Sequence, residues 1–444
     1  MPLIDRSVVH LVTDGAHTFF NPISGGYLVT DDLGARTIEL MQKSDDEDEV
    51  IESLAGILGS DSLSTAARYV TFTDTLKARG LLEKPLPVAE SLPTPFFGFI
   101  EVTRECQTMC RICAIDTGRG SNIVLTLEEI KAIVDQFKAI GVKMVALTGG
   151  DPLVRDDLLD ILRYIRSKDL IAGFSTSLLS LNEQLASALG ELDVKVQVSL
   201  DGSKPDTNDY NRGKGSFERA RRGIDLLNKH GVEFRIAFCI MKHNIGDIPD
   251  MVDLAERLGA REVAFRKVKL LGRALRLKDE IYPSPEEMTR AYTLLYRAAY
   301  DRMDKGLRIN AKYNSVFFGG RGSDYKRLPC GAGRNIIHIT YKGDIVPCSL
   351  FTEDKFVQGN AKQDAIAEVW EKSELLNFFR TTSVDDIPRC KTCRYRYFCG
   401  GGCRAEAYFL EGDLLGNCCD CEDLIQFYDY FLSGIAKSSP KVSL

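Results

Sequence analysis

The sequence has no apolar run long enough to cross a bilayer, and no hydrophobic stretch near its start of the kind that directs secretion. It has no excess of basic charge either. Its 57 lysines and arginines face 63 aspartates and glutamates, a net charge of −6, whereas a nucleic-acid partner would favour a basic face. Neither a membrane nor a nucleic acid is therefore an expected partner. A secreted disulfide framework would need an export signal, so the cytoplasm is the compartment that fits. What is present is the composition of an ordinary globular protein, 44% hydrophobic and 27% charged, in 444 residues that suffice for two or three domains. Cysteine alone is over-supplied. Thirteen of them, an odd number, are many for such a chain unless they hold metal.

Three stand in Cys106-Gln107-Thr108-Met109-Cys110-Arg111-Ile112-Cys113, directly after the apolar run Phe96 to Val102. A tetrahedral metal site wants four protein ligands, and a [4Fe–4S] cube offers four irons. A triplet with no fourth thiolate nearby suggests a cube with one iron open to a small molecule. On spacing alone a zinc site or unrelated thiols remain alternatives. The spacing resembles the radical SAM enzymes, in which S-adenosylmethionine chelates the unique iron. Ile112 departs from the aromatic residue usual before the third cysteine.

Residues 1–88 read as a separate small domain. Val8 to Val12, His17 to Phe20 and Tyr27 to Val29 are strand-like pieces separated by Asp-Gly and Gly-Gly turn signals. Asp31 or Asp32 can cap a helix through Met41. The acidic run Ser44 to Glu49 reads as a solvated helix start complementing the dipole. Val70, Phe72, Leu76, Leu81 and Leu82 mark a third helix and its end. This winged-helix-like α+β layout resembles the PqqD-like peptide-recognition domains, although DNA binders share it. The resemblance implies a leader peptide added as a strand beside Tyr27, Leu28 and Val29 and packed on Phe72 and Leu76. Pro85, Pro87, Pro93 and Pro95 make the following linker extended.

From residue 89 to 315 the pattern alternates apolar strands with amphipathic helices. Strands fit Phe96–Val102, Lys143–Leu147, Ile171–Phe174, Val194–Ser199, Phe234–Ile240 and Glu262–Phe265, with helices near 127–140, 156–167, 182–189, 216–230 and 247–258. Such βα repeats imply a parallel sheet, and six units resemble the partial (β/α)6 TIM-like barrel of the radical SAM family. Chemistry in such barrels sits at the C-terminal strand ends. Gly149, Gly150, Asp151 and Pro152 end the second strand; the glycines permit close backbone approach, and Asp151 offers an acceptor for an ammonium. They resemble the family's Gly-Gly-Glu-Pro element. Ser199 and Asp201 after the fourth strand, with Arg212 and Gly213 in a following loop, resemble further cofactor contacts. Ser177, in Thr176-Ser177-Leu178, takes the place of the family's Asn in Thr-Asn-Gly. Cys239 reads as core, as buried unpaired cysteines usually do. His338 reads as packing, and Arg219, Arg221 and Arg222 as a solvated helix face.

The remainder, residues 316–444 with a start near Phe317, carries Cys330, then Gly343-x4-Cys348 on a hairpin, Cys390-x2-Cys393-x5-Cys399-x3-Cys403, and Cys421. By spacing alone a zinc ribbon competes. The whole order resembles the SPASM domain, which binds two auxiliary [4Fe–4S] clusters. That resemblance implies Cys330, Cys348 and Cys403 as ligands of the nearer cluster, and Cys390, Cys393, Cys399 and Cys421 of the distal one. Cys418 and Cys419 are left over, able to complete the nearer set or compete with Cys421. Three [4Fe–4S] clusters and S-adenosylmethionine are the implied cofactors.

The resemblances together imply a peptide maturase. A low-potential donor such as flavodoxin or ferredoxin delivers an electron, a 5′-deoxyadenosyl radical takes hydrogen from a precursor peptide, and oxidative cross-linking follows. A related enzyme acting on a small molecule, such as a haem precursor, is the first rival. A zinc-binding adaptor without catalysis is the second.

Overall fold

The computed structural model describes residues 3–5, 7–22, 24–82, 94–118, 124–302, 306–311, 330–418 and 421–444. Pro85, Pro87, Pro93, the third-domain start near Phe317, and Cys419 lie outside them.

The N-terminal domain is an antiparallel sheet of three strands in the order β1 (Val9–Thr13), β2 (Ala16–Phe20), β3 (Tyr27–Thr30), followed by α1 (Asp32–Met41), α2 (Glu47–Leu58) and α3 (Ser62–Ala78). Local chemistry sets each helix start. Asp31 accepts from Gly34 N for α1, Asp46 from Asp48 N and Glu49 N for α2, and Asp61 from Ser64 N for α3. The acidic run is thus a helix cap and first turn. The predicted peptide contacts fare differently from one another. Leu28, Phe72 and Leu76 are buried in the domain's own core with Tyr69 and Ile38, while Val70 is exposed. Phe72 and Leu76 therefore belong to a core that Val442 and Leu444, from the far end of the chain, also cover. Val29 is fully buried too, and Tyr27 is half-buried, so an added strand would meet β3 through its backbone edge.

The central element is a mixed sheet of ten strands. Seven run parallel in chain order: β4 (Phe97–Thr103), β5 (Met144–Gly149), β6 (Ile171–Thr176), β7 (Lys195–Ser199), β8 (Phe234–Ile240), β9 (Glu262–Lys267) and β10 (Arg308–Ala311). Helices α4 (Leu127–Ala139), α5 (Leu158–Ser167), α6 (Glu183–Glu191), α7 (Pro205–Arg212), α8 (Ser216–Lys229) and α9 (Ile248–Arg257) connect them. Two elements depart from the sequence reading. Strand β10, Arg-Ile-Asn-Ala, is too short and polar to announce itself. Arg212 closes helix α7, which begins at Pro205, rather than standing in a loop.

The predicted hairpin forms as β11 (Ile336–Ile339) and β12 (Asp344–Val346), with β13 (Gly359–Asn360) beside it. Its strand β11 also pairs parallel to β4, His338 opposite Phe99, which fuses the cysteine-rich region to the main sheet. His338 is buried there against Glu101 at 3.3 Å, a packing role as expected.

Strand alternation sorts the side chains of β8. Phe234, Ile236, Phe238 and Ile240 pack under the helices, while Arg235, Ala237 and Cys239 face a cavity of about 970 Å³. That cavity also touches β4, β5, β6, β7, β9 and Ile336 of β11, so the sheet wraps around it. Cys239 stands on the cavity wall, where the strand period puts it, and also packs against the cluster of Met241, Val268, Ala274 and Ile281.

Two buried ion pairs join the end of β9 to the cysteine-rich region. Lys267 meets Asp423, at 2% and 3% exposure, and Lys269 meets Glu406 at 2.7 Å. Removing one member leaves a buried charge uncompensated, at a cost of about 3–5 kcal/mol. Asp423→Ala should lower stability by about that amount in urea unfolding, whereas Arg163→Ala, whose partner Asp160 is exposed, should change it by less than ~1 kcal/mol. Equal effects would show that the joint contributes nothing special.

Candidate functional site

The strand ends that carry the predicted site residues are sewn together by backbone before any side chain takes part. Gly150 N donates to Thr103 O at 2.8 Å, and Asp151 N to Glu105 O at 2.8 Å. These bonds tie the end of β5 to the residues immediately before Cys106. The approach is so close that a Cβ on Gly149 would lie 2.1 Å from Thr103 O, and one on Gly150 1.7 Å from Glu105 O. Gly149 also holds φ at +117°. The glycines are required by this chain-to-chain contact, whatever else they approach.

Asp151 is only 2% exposed. One carboxylate oxygen accepts from Leu153 N at 3.1 Å and Thr176 Oγ1 at 2.8 Å; the other accepts from Ser177 N at 2.9 Å and Ser177 Oγ at 2.5 Å. Four donors fill the roughly four acceptor positions of a carboxylate. The side chain of Asp151, a methylene shorter than Glu, holds the loop after β6 through these donors. Ser177 likewise spends its hydroxyl and N–H on Asp151. Leu178, where the family pattern has glycine, takes a left-handed φ of +62°.

Asp201 repeats the arrangement after β7. It is fully buried and accepts from Cys239 N at 2.9 Å and from Asn211 Nδ2, with Arg212 Nε 2.7 Å away. Burial works to lower the Arg212 pKa, but the Asp201 carboxylate outweighs it and raises the value, so the guanidinium stays charged. Arg212 Nη1 lies 3.9 Å from Cys110 Sγ. The Cys239 thiol is pushed up by burial and by Asp201, so it stays protonated on the cavity wall. Ser199 ends β7 nearby, half-buried.

The cysteine loop is held from several sides. Thr108 Oγ1 stands between Cys106 Sγ at 3.3 Å and Cys110 Sγ at 3.2 Å, and Thr117 Oγ1 is 3.3 Å from Cys113 Sγ. Burial raises the pKa of Cys106. Two supports escaped the sequence reading. Asn211 receives Arg111 N on its carbonyl and Ile112 N on its side chain while binding Asp201. Arg273 donates Nε to Cys110 O at 2.8 Å and also reaches Asp116 and Thr117. The only hint of Asn211 was its place in the polar run Asp209-Tyr210-Asn211-Arg212; Arg273 gave none.

Among the described residues no three His, Cys, Asp or Glu side chains close on one point as they would around a single ion. The thiols are instead grouped in sets suited to a cluster, whose ligands are spread over several irons. Burial, then Cys330 and Cys403, raise the Cys348 thiol, and all three line one apolar cluster with Phe351 and Phe379. Burial pushes Cys390 to about 11 and Cys399 to about 12, each with Cys418 among its neighbours. Cys418 Sγ lies 3.7 Å from Cys421 Sγ. Of the two alternatives for Cys418, the structure brings it to the set with Cys390, Cys393, Cys399 and Cys421, not to Cys330. Gly402 makes room, since a Cβ there would lie 2.1 Å from Cys418 Sγ. Soft thiolate donors in low-dielectric surroundings fit iron–sulfur clusters, because metal binding deprotonates them outright.

The profile of the radical SAM superfamily matches residues 100–255, and that of SPASM, an iron–sulfur cluster-binding domain, matches residues 330–394. Mycofactocin maturase MftC of Mycolicibacterium smegmatis is 30% identical over 324 residues, covering 72% of this chain and 81% of that protein. The chain belongs to the radical SAM/SPASM enzymes. Another member, the AdoMet-dependent heme synthase of Nitratidesulfovibrio vulgaris, is 29% identical over 74% of this chain and 92% of its own. The radical SAM fold is shared with SuiB of Streptococcus suis, solved with S-adenosylmethionine and with the precursor peptide SuiA, at a TM-score of 0.61, 17% identity, and coverage of 94% of this chain and 98% of that one. Membership of an enzyme family sets aside the non-catalytic zinc adaptor. No helix among the described residues is long and apolar enough to cross a membrane.

If Asp151 shapes the cofactor seat by clamping the loop after β6, Asp151→Ala should weaken S-adenosylmethionine binding tenfold to a hundredfold, on the order of 1.5–3 kcal/mol, and leave iron content unchanged. Equilibrium dialysis beside an iron assay measures both. An unchanged dissociation constant would remove Asp151 from the site.

Proposed function

We propose that this radical SAM/SPASM enzyme modifies a ribosomally synthesised precursor peptide, by hydrogen abstraction followed by oxidative cross-linking through a thioether or carbon–carbon bond. The observation that carries this reading is the N-terminal domain, a three-stranded antiparallel sheet whose β3 stands at the edge, followed by three helices. This is the layout of PqqD-like domains, in which a leader peptide is added as a further strand. A relative named as a maturase and a structural neighbour solved with a precursor peptide support it. The match to SuiB covers 94% of this chain, too much for the whole N-terminal domain to lie outside it.

On this reading residues 1–88 recognise the leader, 89–315 form a partial (β/α)6 barrel, and 316–444 form the SPASM domain. Cys106, Cys110 and Cys113 would hold the first [4Fe–4S] cluster, Cys330, Cys348 and Cys403 the nearer auxiliary one, and Cys390, Cys393 and Cys399 the distal one, completed by Cys421 or Cys418. S-adenosylmethionine would lie along Gly149, Gly150, Pro152 and Ser199. Bound at a reduced cluster, it supplies the 5′-deoxyadenosyl radical. The chain's own part is to orient and to exclude water. Asp151 and Asp201 fix the loops that shape the seat, Arg212 places a fixed cation beside Cys110, and the cavity wall admits the reacting side chain. Flavodoxin or ferredoxin in the cytoplasm would deliver the electron. One observation favours a second reading, a small haem-type substrate: the heme synthase relative is 29% identical over 92% of its length.

Three cubes correspond to about twelve irons per chain after anaerobic reconstitution. Replacing Cys106, Cys110 and Cys113 together by Ala should remove roughly a third of them and all cofactor cleavage. Full deoxyadenosine production by that variant would remove the triplet from the cluster.

A chain starting at Pro93 separates peptide from small-molecule chemistry. It should hold its clusters and cleave S-adenosylmethionine slowly, yet fail to modify the precursor at low concentration, because the leader no longer raises the local concentration of the core peptide. Product mass against precursor concentration is the measurement. Unchanged modification across the whole range would put the small-molecule reading ahead.

A further inference from the structure

The outer edge of β3 is already engaged, and by this chain itself. Val442 forms an isolated parallel bridge with Thr30, its N–H donates to Val29 O at 2.8 Å, and Thr30 Oγ1 donates to Val442 O. Arg68 on α3 donates Nη2 to Leu444 O at 2.9 Å. The segment thus lies between the open edge of β3 and the flank of α3. Its side chains alternate as in a strand. Val442 and Leu444 pack against the domain core that holds Leu28, Tyr69 and Phe72, whereas Ser443 between them reaches Asp31, the cap of α1. Ahead of it, Lys441 Nζ reaches Gly15 O at 3.3 Å. The helix Cys421–Ser438 leads straight into the segment and carries it across from the cysteine-rich region.

We propose that the segment Lys441–Leu444 is a resident competitor for the peptide groove between β3 and α3. The incoming partner is then an extended peptide that presents apolar side chains at two alternate positions with a small hydroxyl residue between, as Val442, Ser443 and Leu444 do. The inference rests on reading the N-terminal domain as a peptide-recognition domain, and it adds by what side-chain pattern the groove is filled and what must leave first. The contacts are modest: one backbone hydrogen bond, hydrogen bonds through the side chains of Thr30, Arg68, Ser443 and Lys441, and two apolar side chains. A tethered segment meets its groove at an effective concentration on the order of millimolar, so even this set keeps it seated while leaving it displaceable by a stronger strand. A site held this way binds well only those peptides that outcompete the segment, which raises selectivity at the expense of affinity.

The probe is a labelled peptide of the segment's own sequence, Ser438 to Leu444, titrated by fluorescence anisotropy into the reconstituted enzyme. Three proteins are compared: the full chain, a chain lacking Lys441–Leu444, and full-length Val442→Pro, which loses the N–H that bonds Val29 O. Binding to the shortened chain and to Val442→Pro should be at least tenfold tighter than to the full chain. A probe carrying Asp in place of both Val442 and Leu444 should not bind. Equal binding to all three proteins, or binding to none while iron content and circular dichroism match the full chain, overturns the proposal. The assay uses no substrate, so its result stands apart from the Pro93 truncation. Capture of the probe by the opened groove together with undiminished precursor modification by the truncated enzyme would keep the competitor and discard the leader reading.

Discussion

Two buried carboxylates hold the site together. Asp151 binds the loops after β5 and β6 to each other, and Asp201 binds the end of β7 to β8 and, through Asn211, to the cysteine loop. A buried polar group without hydrogen-bond partners is costly, so each carboxylate depends on the donors that surround it. The donors come from the ends of three strands, β5, β6 and β8, and from the last turn of α7. Losing the geometry of any one of them exposes a charge to a low-dielectric interior. Order at the site is therefore cooperative, and the rigid frame that a reactive radical requires follows from electrostatics as much as from packing.

The sheet supplies the second constraint. Strand β4 pairs with β5 on one side and β11 on the other, and its C-terminal end runs into Cys106. The cysteine loop and the hairpin carrying Cys348 are thus fixed to one strand. Lys267 with Asp423 and Lys269 with Glu406 lock the far side. Clusters held on such a frame would keep fixed separations, as electron transfer between them demands.

Much of this was legible in the sequence, for physical reasons. The strands and helices between Phe97 and Lys267 repeat with clean apolar periodicity, and the cysteine spacings carry their own geometry. The six predicted strands fall within a residue or two of those observed. What escaped was long-range. The parallel pairing of β11 with β4, the polar strand β10, and the gathering of Cys418 with Cys390 and Cys399 depend on contacts that no local pattern reports. Asp151 and Asp201 stand out in the sequence as candidate site residues, but their partners do not, because a carboxylate facing its own chain looks the same in sequence as one facing a ligand. The helical spacing of Phe72 and Leu76 describes core as well as a peptide contact, and both pack in the core that Val442 and Leu444 cover. Cys239 packs against a core cluster, as its type suggests, but its place on the cavity wall follows from the strand period and not from its type.

The central claim is that a peptide is the substrate. Its most direct test is mass spectrometry of a short peptide encoded beside the gene, incubated anaerobically with reconstituted enzyme, S-adenosylmethionine and a low-potential reductant. The account requires a loss of two hydrogens for each bond formed, with fragment ions missing across the linked residues. A peptide of unchanged mass beside steady deoxyadenosine production, with a haem-type small molecule converted instead, would contradict it.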